Sequence, residues 1–341
     1  MSLLVRDPGL LTTVQDAGRF GLGALGVPMS GAMDRRSLAI ANLLLGNDAG
    51  DAALEMTLVG PTLELSGLTT IGLGGADLGG TAGGGAGRTR LVPGRSYRLE
   101  AGTVVSFPGR PAASRADGSR AYLAIPGGID VPIVLGSRST CLAAGFGGLD
   151  GRSVRAGDRI APVDRRAVPP LVWPIDDLPA AGSATSTTAA SRPIRVVAAS
   201  EVGETPPSAL DDFMRSEWVV DPKSDRMGIR LEGEPLRTAE NGELLSHGVP
   251  LGAIQLPRSG LPIVLAADHQ SSGGYPVIAV VAAVDQDRVG QLGPGDRVRF
   301  ELLDLATARQ ALIDAEAEFA RLSAQLEEAR RVAEGIDWAG A

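Results

Sequence analysis

Glycine and proline interrupt this chain so often that few segments allow a long regular element. The 341 residues include 46 glycines and 23 prolines. Between them lie short apolar runs rich in β-branched residues, which are typical of strands in antiparallel barrels or sandwiches. Six such runs are 62–65, 121–125, 194–199, 253–257, 261–266 and 277–284. The sequence therefore predicts a mainly β protein whose short strands are joined by tight turns.

Two segments depart from this pattern and predict helices. Residues 34–45 begin at an aspartate that is suited to capping and end at Gly46-Asn47, a typical helix end. Roughly 303–334 forms the second helix, with apolar residues at alternating spacings of three and four: Leu305, Ala308, Leu312, Ala315, Phe319, Leu322, Leu326 and Ala329. This apolar stripe fits packing on the chain's own barrel, and it also fits contact with another chain.

A segment of small polar residues, "LPAAGSATSTTAASR" at 178–192, divides the chain. It has almost nothing that fills a core, so it predicts a flexible linker. A chain of 341 residues also exceeds what one core usually serves. We predict an N-terminal barrel domain over 1–165, a proline-rich segment and linker over 166–193, a C-terminal barrel domain over 194–301, and an amphipathic helix over 302–335.

The tripeptide Gly-Asp-Arg recurs near the end of both predicted barrel domains. It occurs in "VRAGDRI" at 154–160 and in "LGPGDRVRF" at 292–300, each time before a β-branched residue. A turn glycine followed by an alternating strand explains each copy. The repetition indicates two related barrels.

Charge and residue usage exclude several classes of function. The formal net charge is −8 and no basic run occurs, which argues against a nucleic-acid or anionic membrane surface. The one lysine, Lys223, lies outside any phosphate-binding loop motif. Two histidines and no C-x-x-C pattern argue against a metal site.

The location of the chain is also constrained by its sequence. One cysteine, Cys141, excludes an internal disulfide and fits a reducing compartment. The N-terminal residues lack the pattern of a signal peptide, and no stretch approaches the roughly 18 apolar residues of a spanning helix. We expect a soluble cytoplasmic protein.

Five segments occur in an order that resembles one bacterial family: 9–47, 53–65, 121–140, 224–233 and 252–276. They include "VPMSGAMDRR", "ALEMTLVGPTLEL", "AYLAIPGGIDVPIVLGSRST", "SDRMGIRLEG" and "GAIQLPRSGLPIVLAADHQSSGGYP". Together they cover most of the chain outside the linker and the terminal helix. The family is the C-subunit of ATP-dependent 5-oxoprolinase, also called KipA-like, allophanate hydrolase subunit 2 or the biotin-dependent carboxyltransferase family.

The resemblance implies a fold, an activity and partners. The fold is a tandem pair of cyclophilin-like β-barrels. The activity is ATP-dependent hydrolysis of the lactam of 5-oxo-L-proline to L-glutamate, together with a KipI-like partner and a third oxoprolinase subunit. The cofactor is ATP with Mg²⁺, bound on this chain, on a partner or between the two. We expect this chain to be inactive alone.

Two other functions are compatible with the same resemblance. One is a KipA-like regulatory protein that binds a KipI-type kinase inhibitor. The other is the carboxyltransferase part of a urea-carboxylase-type enzyme. That reaction requires biotin from another chain, because Lys223 lacks the setting of a biotin attachment site.

The densest group of hydrogen-bonding residues is "DHQSSGGYP" at 268–276, directly before an apolar strand. Its two adjacent glycines allow the backbone to approach a ligand closely, and they equally suit a simple turn. Asp268 is suited to act as a base or to orient an arginine. The neutral donors suited to a carboxylate or carbonyl are Gln255, Gln270, Ser271 and Tyr275.

A second candidate segment, "SDRMG" at 224–228, supplies Asp225 and Arg226. A guanidinium clamps carboxylate or phosphate in bidentate fashion, although an Asp-Arg pair in a strand turn is the alternative. The candidate catalytic residues are Arg226, Asp268 and Tyr275, and the candidate substrate-binding residues are Asp225, Gln255, Gln270, Ser271, Gly273 and Gly274. Residues 137–140 in "GSRST" are suited to bind an anion, and buried hydroxyl groups in a turn are the alternative interpretation.

Overall fold

The fold is available from a computed structural model of the chain. The structure describes residues 1–83, 87–110, 118–164, 166, 168–171, 192–200, 205–206, 208–238 and 245–335. Most of the linker predicted within 166–193 lies outside the described residues.

Two compact units share the chain, and each is discontinuous in sequence. The first unit consists of Met1–Gly18, Asp34–Ser186 and Phe319–Ala341, and the second of Arg19–Met33 and Thr187–Glu318. Each unit thus includes a segment that is remote in sequence from its main part. The domain limits predicted at 165, 193 and 301 stay predictions.

The first unit holds eleven strands of the described chain. They are β1 (Leu3–Asp7), β2 (Leu11–Gln15), β3 (Ala53–Thr57), β4 (Thr62–Leu65), β5 (Thr69–Gly75), β6 (Thr81–Gly83), β7 (Arg88–Arg90), β8 (Arg95–Leu99), β9 (Val104–Ser106), β10 (Arg120–Ala124) and β11 (Arg159–Ile160). A six-stranded sheet has the order β11-β1-β4-β9-β6-β7, and a five-stranded sheet has the order β2-β3-β10-β5-β8. Alternate residues such as Leu3 and Val5 are buried in the core, as the two-residue period of a strand requires.

Helix α1 (Arg35–Leu43) packs on the five-stranded sheet of this unit. The carboxylate of Asp34 accepts a hydrogen bond of 2.8 Å from the backbone N–H of Ser37, so the predicted cap is confirmed. A Cβ atom added at Gly74 would lie 2.2 Å from the Ser37 carbonyl oxygen. The helix therefore approaches the backbone of β5 at a distance that only glycine permits.

The last helix of the described chain, α4, runs over Leu305–Gly335. In its C-terminal half Leu322 and Leu326 are buried in one apolar cluster with Ile40 and Leu44 of the first unit. The buried Arg330 donates a hydrogen bond of 2.5 Å to the Pro169 carbonyl. Half of the residues in the apolar stripe therefore pack against other parts of the same chain.

The second unit holds ten strands of the described chain: β12 (Ile194–Ala198), β13 (Trp218–Val220), β14 (Gly228–Glu232), β15 (His247–Gly248), β16 (Ala253–Gln255), β17 (Ile263–Leu265), β18 (Ser272–Gly273), β19 (Val277–Val281), β20 (Arg297–Val298) and β21 (Phe300–Leu303). Its helices are α2 (Ala209–Arg215) and α3 (Gln286–Gly290). The apolar core includes Phe213, whose ring centroid lies 5.6 Å from that of Trp218.

Eight of these strands form a nearly closed barrel. Their order is β20-β13-β14-β17-β16-β19-β12-β21, while β15 and β18 form a separate two-stranded ladder. The first and last strands of this order, β20 and β21, are neighbours in sequence and are separated by Arg299 alone. The two ends of the sheet therefore meet at this segment, and the sheet nearly closes on itself. The predicted mainly β fold with a long C-terminal helix is confirmed. All six predicted strand runs contain observed strands.

The two Gly-Asp-Arg turns have the same hydrogen bonds. Gly157 donates to the Val5 carbonyl at 2.8 Å, and Gly295 donates to the Val220 carbonyl at 2.9 Å. The same two valines donate to the carbonyls of the following aspartates, each at 2.9 Å. Both glycines have positive φ, +93° and +81°, which explains the residue type. The matching turns support the interpretation of two related barrels.

A buried charge cluster holds the start of β12 in the second unit. The fully buried Asp285 accepts hydrogen bonds of 3.0 and 2.7 Å from Nε and Nη2 of Arg195, and one of 3.0 Å from Arg288. Burial raises the pKa of Asp285, but the hydrogen bonds from Arg195 and the charge of Arg288 outweigh it. The pKa of this carboxyl therefore lies below its ordinary value of 3.8.

The stabilisation contributed by Asp285 is expected to depend on pH. Because its pKa is lower in the folded than in the unfolded state, the contribution is complete above the unfolded pKa and is lost as pH falls through the folded pKa. Urea unfolding of wild type and Asp285→Asn should give a constant difference in free energy near pH 7 and a shrinking one in acid. The exposed Asp130→Asn serves as the control. A difference that grows in acid would contradict this account.

Candidate functional site

Arg226 and Asp268 meet because of the register between two neighbouring strands. Gly228 at the start of β14 pairs with Leu265 at the end of β17. The backbone continues this pairing, since the N–H of Asp268 donates to the Arg226 carbonyl at 2.7 Å. The two side chains therefore extend from adjacent strand ends, at one place in the barrel of the second unit.

The two side chains form a buried bidentate ion pair. Nε of Arg226 lies 2.9 Å from Oδ2 of Asp268, and Nη2 lies 3.1 Å from Oδ1. Their side chains are only 3% and 2% exposed. Such parallel N–H···O bonds fix both groups in position. Among the candidate residues, this is the pair that the structure joins most firmly.

A segment that is distant in sequence also contacts this ion pair. Nη2 of Arg226 also donates to the Gly31 carbonyl at 2.6 Å, and the N–H of Ser30 donates to the Ala267 carbonyl at 3.0 Å. Ser30 is fully buried with a φ of +53°, a strained conformation for a residue with a side chain. Residues 30–31 thus belong to the site, although the sequence carried no signal that joins them to Arg226.

These contacts favour a positioning role for the ion pair over direct chemistry. Both carboxylate oxygens of Asp268 are bound by Arg226, and the Arg226 guanidinium is bound by protein oxygens, so it is poorly placed to clamp a phosphate. The geometry matches the alternative of an Asp-Arg pair at a strand turn. The assignment of either residue as catalytic stays a prediction.

Gln255 supplies a neutral group on the neighbouring strand β16. Its side chain is 2% exposed, and its Oε1 lies 3.5 Å from Nε2 of Gln270. Nε2 of Gln255 is buried without a hydrogen-bond partner in the described chain. A Cβ atom added at Gly273 would lie 2.4 Å from this nitrogen. The structure therefore brings Gln255, Gln270 and Gly273 together.

The remaining candidates lie nearer the surface. Asp225 is exposed, and its Oδ1 accepts hydrogen bonds from the N–H groups of Met227 and Gly228, so it closes the turn before β14. Tyr275 is 38% exposed. The Ser271 carbonyl accepts a hydrogen bond from Val249 at 3.1 Å. Gly274 is half-buried beside these residues. Their proposed roles in substrate binding or catalysis stay predictions.

Burial favours the neutral form of the histidine inside the segment. Burial lowers the pKa of His269, and the hydrogen bond between its Nδ1 and the Gln270 carbonyl and the charge of Asp268 only partly oppose this effect. Its pKa therefore lies below the ordinary value of 6.5. Around Asp268 the buried charges are thus those of the internally paired Arg226 and Asp268.

The "GSRST" segment of the first unit surrounds a carboxylate. Oδ1 of Asp16 accepts a hydrogen bond of 2.7 Å from the Ser137 hydroxyl and another from the Ser139 hydroxyl. Its Oδ2 accepts from the Arg138 N–H at 2.5 Å. Because these donors already bind an anionic side chain, they form a structural turn, the second of the two interpretations.

Comparison with known proteins places the chain in a family. Residues 25–302 match the family model described as carboxyltransferase domain, subdomain A and B. The chain belongs to this carboxyltransferase family. It is 37% identical over 325 residues to the 5-oxoprolinase C-subunit of Escherichia coli K12, and the match covers 93% of this chain and 96% of that protein. The predicted family resemblance is confirmed.

Other relatives of this carboxyltransferase-family chain include proteins of two kinds. It is 32% identical to the 5-oxoprolinase C-subunit of Haemophilus influenzae, over 87% of this chain and 89% of that protein. It is also similar to the crystal structure of the urea carboxylase of Kluyveromyces lactis, with a TM-score of 0.79 and 30% identity. That match covers 93% of this chain but only 29% of the yeast chain.

The candidate site does not fit ATP with Mg²⁺, the cofactor that the resemblance implies. Within the described segments, no group of three or more His, Cys, Asp or Glu side chains is placed to hold a metal ion. The Arg226 guanidinium is bound by Asp268 and the Gly31 carbonyl. A Mg²⁺-bound triphosphate requires oxygen ligands and cations that face it. The amide N–H of Gln255, which has no partner among the described residues, instead suits a neutral carbonyl.

None of the helices in the described residues has the length and hydropathy needed to span a membrane.

Proposed function

We propose that this chain is the C-subunit of a cytoplasmic ATP-dependent 5-oxoprolinase, which opens the lactam of 5-oxo-L-proline to L-glutamate. The observation that carries the proposal is the match to the E. coli 5-oxoprolinase C-subunit, 37% identical and nearly complete in both chains. The corresponding protein of H. influenzae supports it. The partners in this proposal are a KipI-like protein and a third oxoprolinase subunit.

The chemistry of the substrate explains why partners and ATP are required. A lactam carbonyl is stabilised by resonance and is a poor electrophile, so its hydrolysis requires activation of the carbonyl oxygen and donors for the charge that develops there. The described site of this chain offers a neutral amide donor and a charge pair that is already matched. In this proposal the chain holds the cyclic amide, and ATP binds on a partner or where the partners meet.

Reconstitution tests the proposal. The purified chain should show no ADP formation that depends on 5-oxoproline when it is incubated alone with ATP and Mg²⁺. Addition of the KipI-like partner and the third oxoprolinase subunit should yield equal amounts of ADP and glutamate, measured by a coupled ADP assay and by amino-acid analysis. The two partners without this chain are the control. A complete mixture that forms no glutamate would reject the proposal.

A second function, the carboxyltransferase part of a urea-carboxylase-type enzyme, is favoured by the similarity to the yeast urea carboxylase. In that reaction the carboxyl group arrives on biotin carried by another chain. The discriminating assay supplies a biotin carboxylase, its biotin carrier, ATP, labelled bicarbonate and urea. Labelled carboxylated urea that appears only with this chain would favour the second function. Tight binding of the KipI-like partner without turnover in either assay would indicate a regulatory role of the KipA-like kind.

A further inference from the structure

We infer that the carboxamide of Gln255 recognises the ring carbonyl of a five-membered cyclic amide in the second unit. The inference rests on the proposed function, to which it adds a specific recognition group. The observation behind it is that the Gln255 side chain is 2% exposed while its Nε2 has no hydrogen-bond partner in the described chain. Buried polar groups are nearly always paired, so a ligand is the natural missing partner.

The backbone of Gln255 is rigidly placed. It lies in β16, where it pairs with Ile263 of β17 on one side and with Val277 of β19 on the other. Nε2 of Gln270 lies 3.5 Å from Oε1 of Gln255, which is consistent with an amide whose oxygen faces Gln270 and whose NH₂ group faces away. A donor held on a central strand of a barrel is well suited to recognition, because a rigid element keeps its position.

Gly273 packs directly against this donor. A Cβ atom at Gly273 would lie 2.4 Å from Nε2 of Gln255, closer than any side chain is tolerated. Gly273 belongs to the ladder of β15 and β18, which is paired only through His247–Gly273 and Gly248–Ser272. So short a ladder is held by few backbone hydrogen bonds, and we expect it to open for a ligand. Its displacement would expose the amide N–H to a ligand.

The charge balance around Gln255 favours a neutral acceptor at the amide nitrogen itself, so a ligand that also carries a carboxylate, as 5-oxo-L-proline does, would present its ring carbonyl there. The nearby segment contributes Asp268, whose charge is already matched by Arg226 at 2.9 Å. An isolated anion would have to be desolvated beside Gln255 without a cation of its own. A neutral carbonyl meets no such cost. The lactam of 5-oxo-L-proline and the ureido ring of biotin both place a carbonyl next to an N–H in a five-membered ring.

The experiment compares full-length wild type with Gln255→Met, which keeps a side chain of similar length and removes the donor. Ligand-observed NMR titrations with 5-oxo-L-proline and with biotin methyl ester form the two arms. We expect at least one ligand to bind wild type and to lose about ten-fold in affinity in the variant. The melting temperature should stay equal or rise, because a buried unpaired donor is removed. A purely structural role for Gln255 predicts lower stability instead.

Two further variants complete the design. Gln310→Met changes an exposed glutamine of α4 and should bind as wild type does. Gly273→Ala retains the donor but places a methyl group within 2.4 Å of the Gln255 amide nitrogen, so it should displace the amide and also weaken binding. This variant carries the test if Gln255→Met does not fold. Wild type that binds neither ligand, or a folded Gln255→Met that binds as tightly as wild type, would overturn the inference.

The test of this inference can fail or succeed independently of the test of the proposed function. Binding of biotin methyl ester that depends on Gln255, without glutamate formation in the reconstituted mixture, would uphold the inference and reject the 5-oxoprolinase proposal. Glutamate formation with the same KM for 5-oxoproline in wild type and Gln255→Met, together with equal binding of biotin methyl ester to both, would do the reverse. A raised KM in the variant would support both.

Discussion

Asp268→Ala is expected to lower the free energy of unfolding by about 3–5 kcal/mol, because it leaves one member of a buried ion pair without its partner. The Arg226 guanidinium is 3% exposed, and in the variant it would retain the Gly31 carbonyl but lose both carboxylate oxygens. Urea unfolding followed by circular dichroism measures the change. The exposed Asp130→Ala is the matched control and should stay within about 0.5 kcal/mol of wild type.

A double variant separates a structural from a catalytic role for this pair. Replacement of both charges, Arg226→Met with Asp268→Leu, should recover most of the lost stability, because no uncompensated charge remains buried. If Asp268 instead acts as a base, Asp268→Ala would lower kcat of the reconstituted enzyme and leave the free energy of unfolding unchanged. That result would contradict the positioning role that the hydrogen bonds indicate.

Leu326→Ala is expected to cost about 2–5 kcal/mol, the usual range for a fully buried leucine. Leu326 is completely buried in the cluster that includes Ile40 and Leu44. The matched control is Leu305→Ala at the start of the same helix, where the side chain is 74% exposed. The control should change stability by no more than about 0.5 kcal/mol. Thermal and urea unfolding of both variants provide the comparison.

The same pair of variants decides between the two packings that the apolar stripe of α4 allowed. If the C-terminal half of the helix packs within the chain, Leu326→Ala destabilises the protein at every protein concentration. An unchanged unfolding free energy, combined with a shift in oligomeric state by sedimentation, would show that this half of the helix instead contacts another chain.

The strands and helices were largely predictable from local pattern. The run 62–65 is strand β4 with the same limits, and the capping aspartate at position 34 begins α1 as expected. These features depend on neighbouring residues alone: on the alternation of apolar side chains, on β-branching and on the side chain that accepts the first free N–H groups. The repeated Gly-Asp-Arg turn was visible for the same reason, because it requires a glycine with positive φ.

The site was predictable only in part. The sequence pointed to 268–276, to Arg226 and to Gln255, and the alternative of an Asp-Arg pair was among the interpretations. The link between Arg226 and Gly31 joins residues 195 positions apart and has no local signal. The same holds for Gln255, since nothing beside it in sequence shows that its amide nitrogen is buried against Gly273.

Local sequence determined that this chain forms short strands, two related turns and a capped helix, because propensity and periodicity act over a few residues. The family followed from the order of its motifs. Only the tertiary structure decided that Arg226 and Asp268 neutralise each other and that Gln255 keeps a donor without a partner in the described chain. Hydrogen bonding is satisfied or left open by groups that meet through strand register and chain closure, and those are properties of the whole fold.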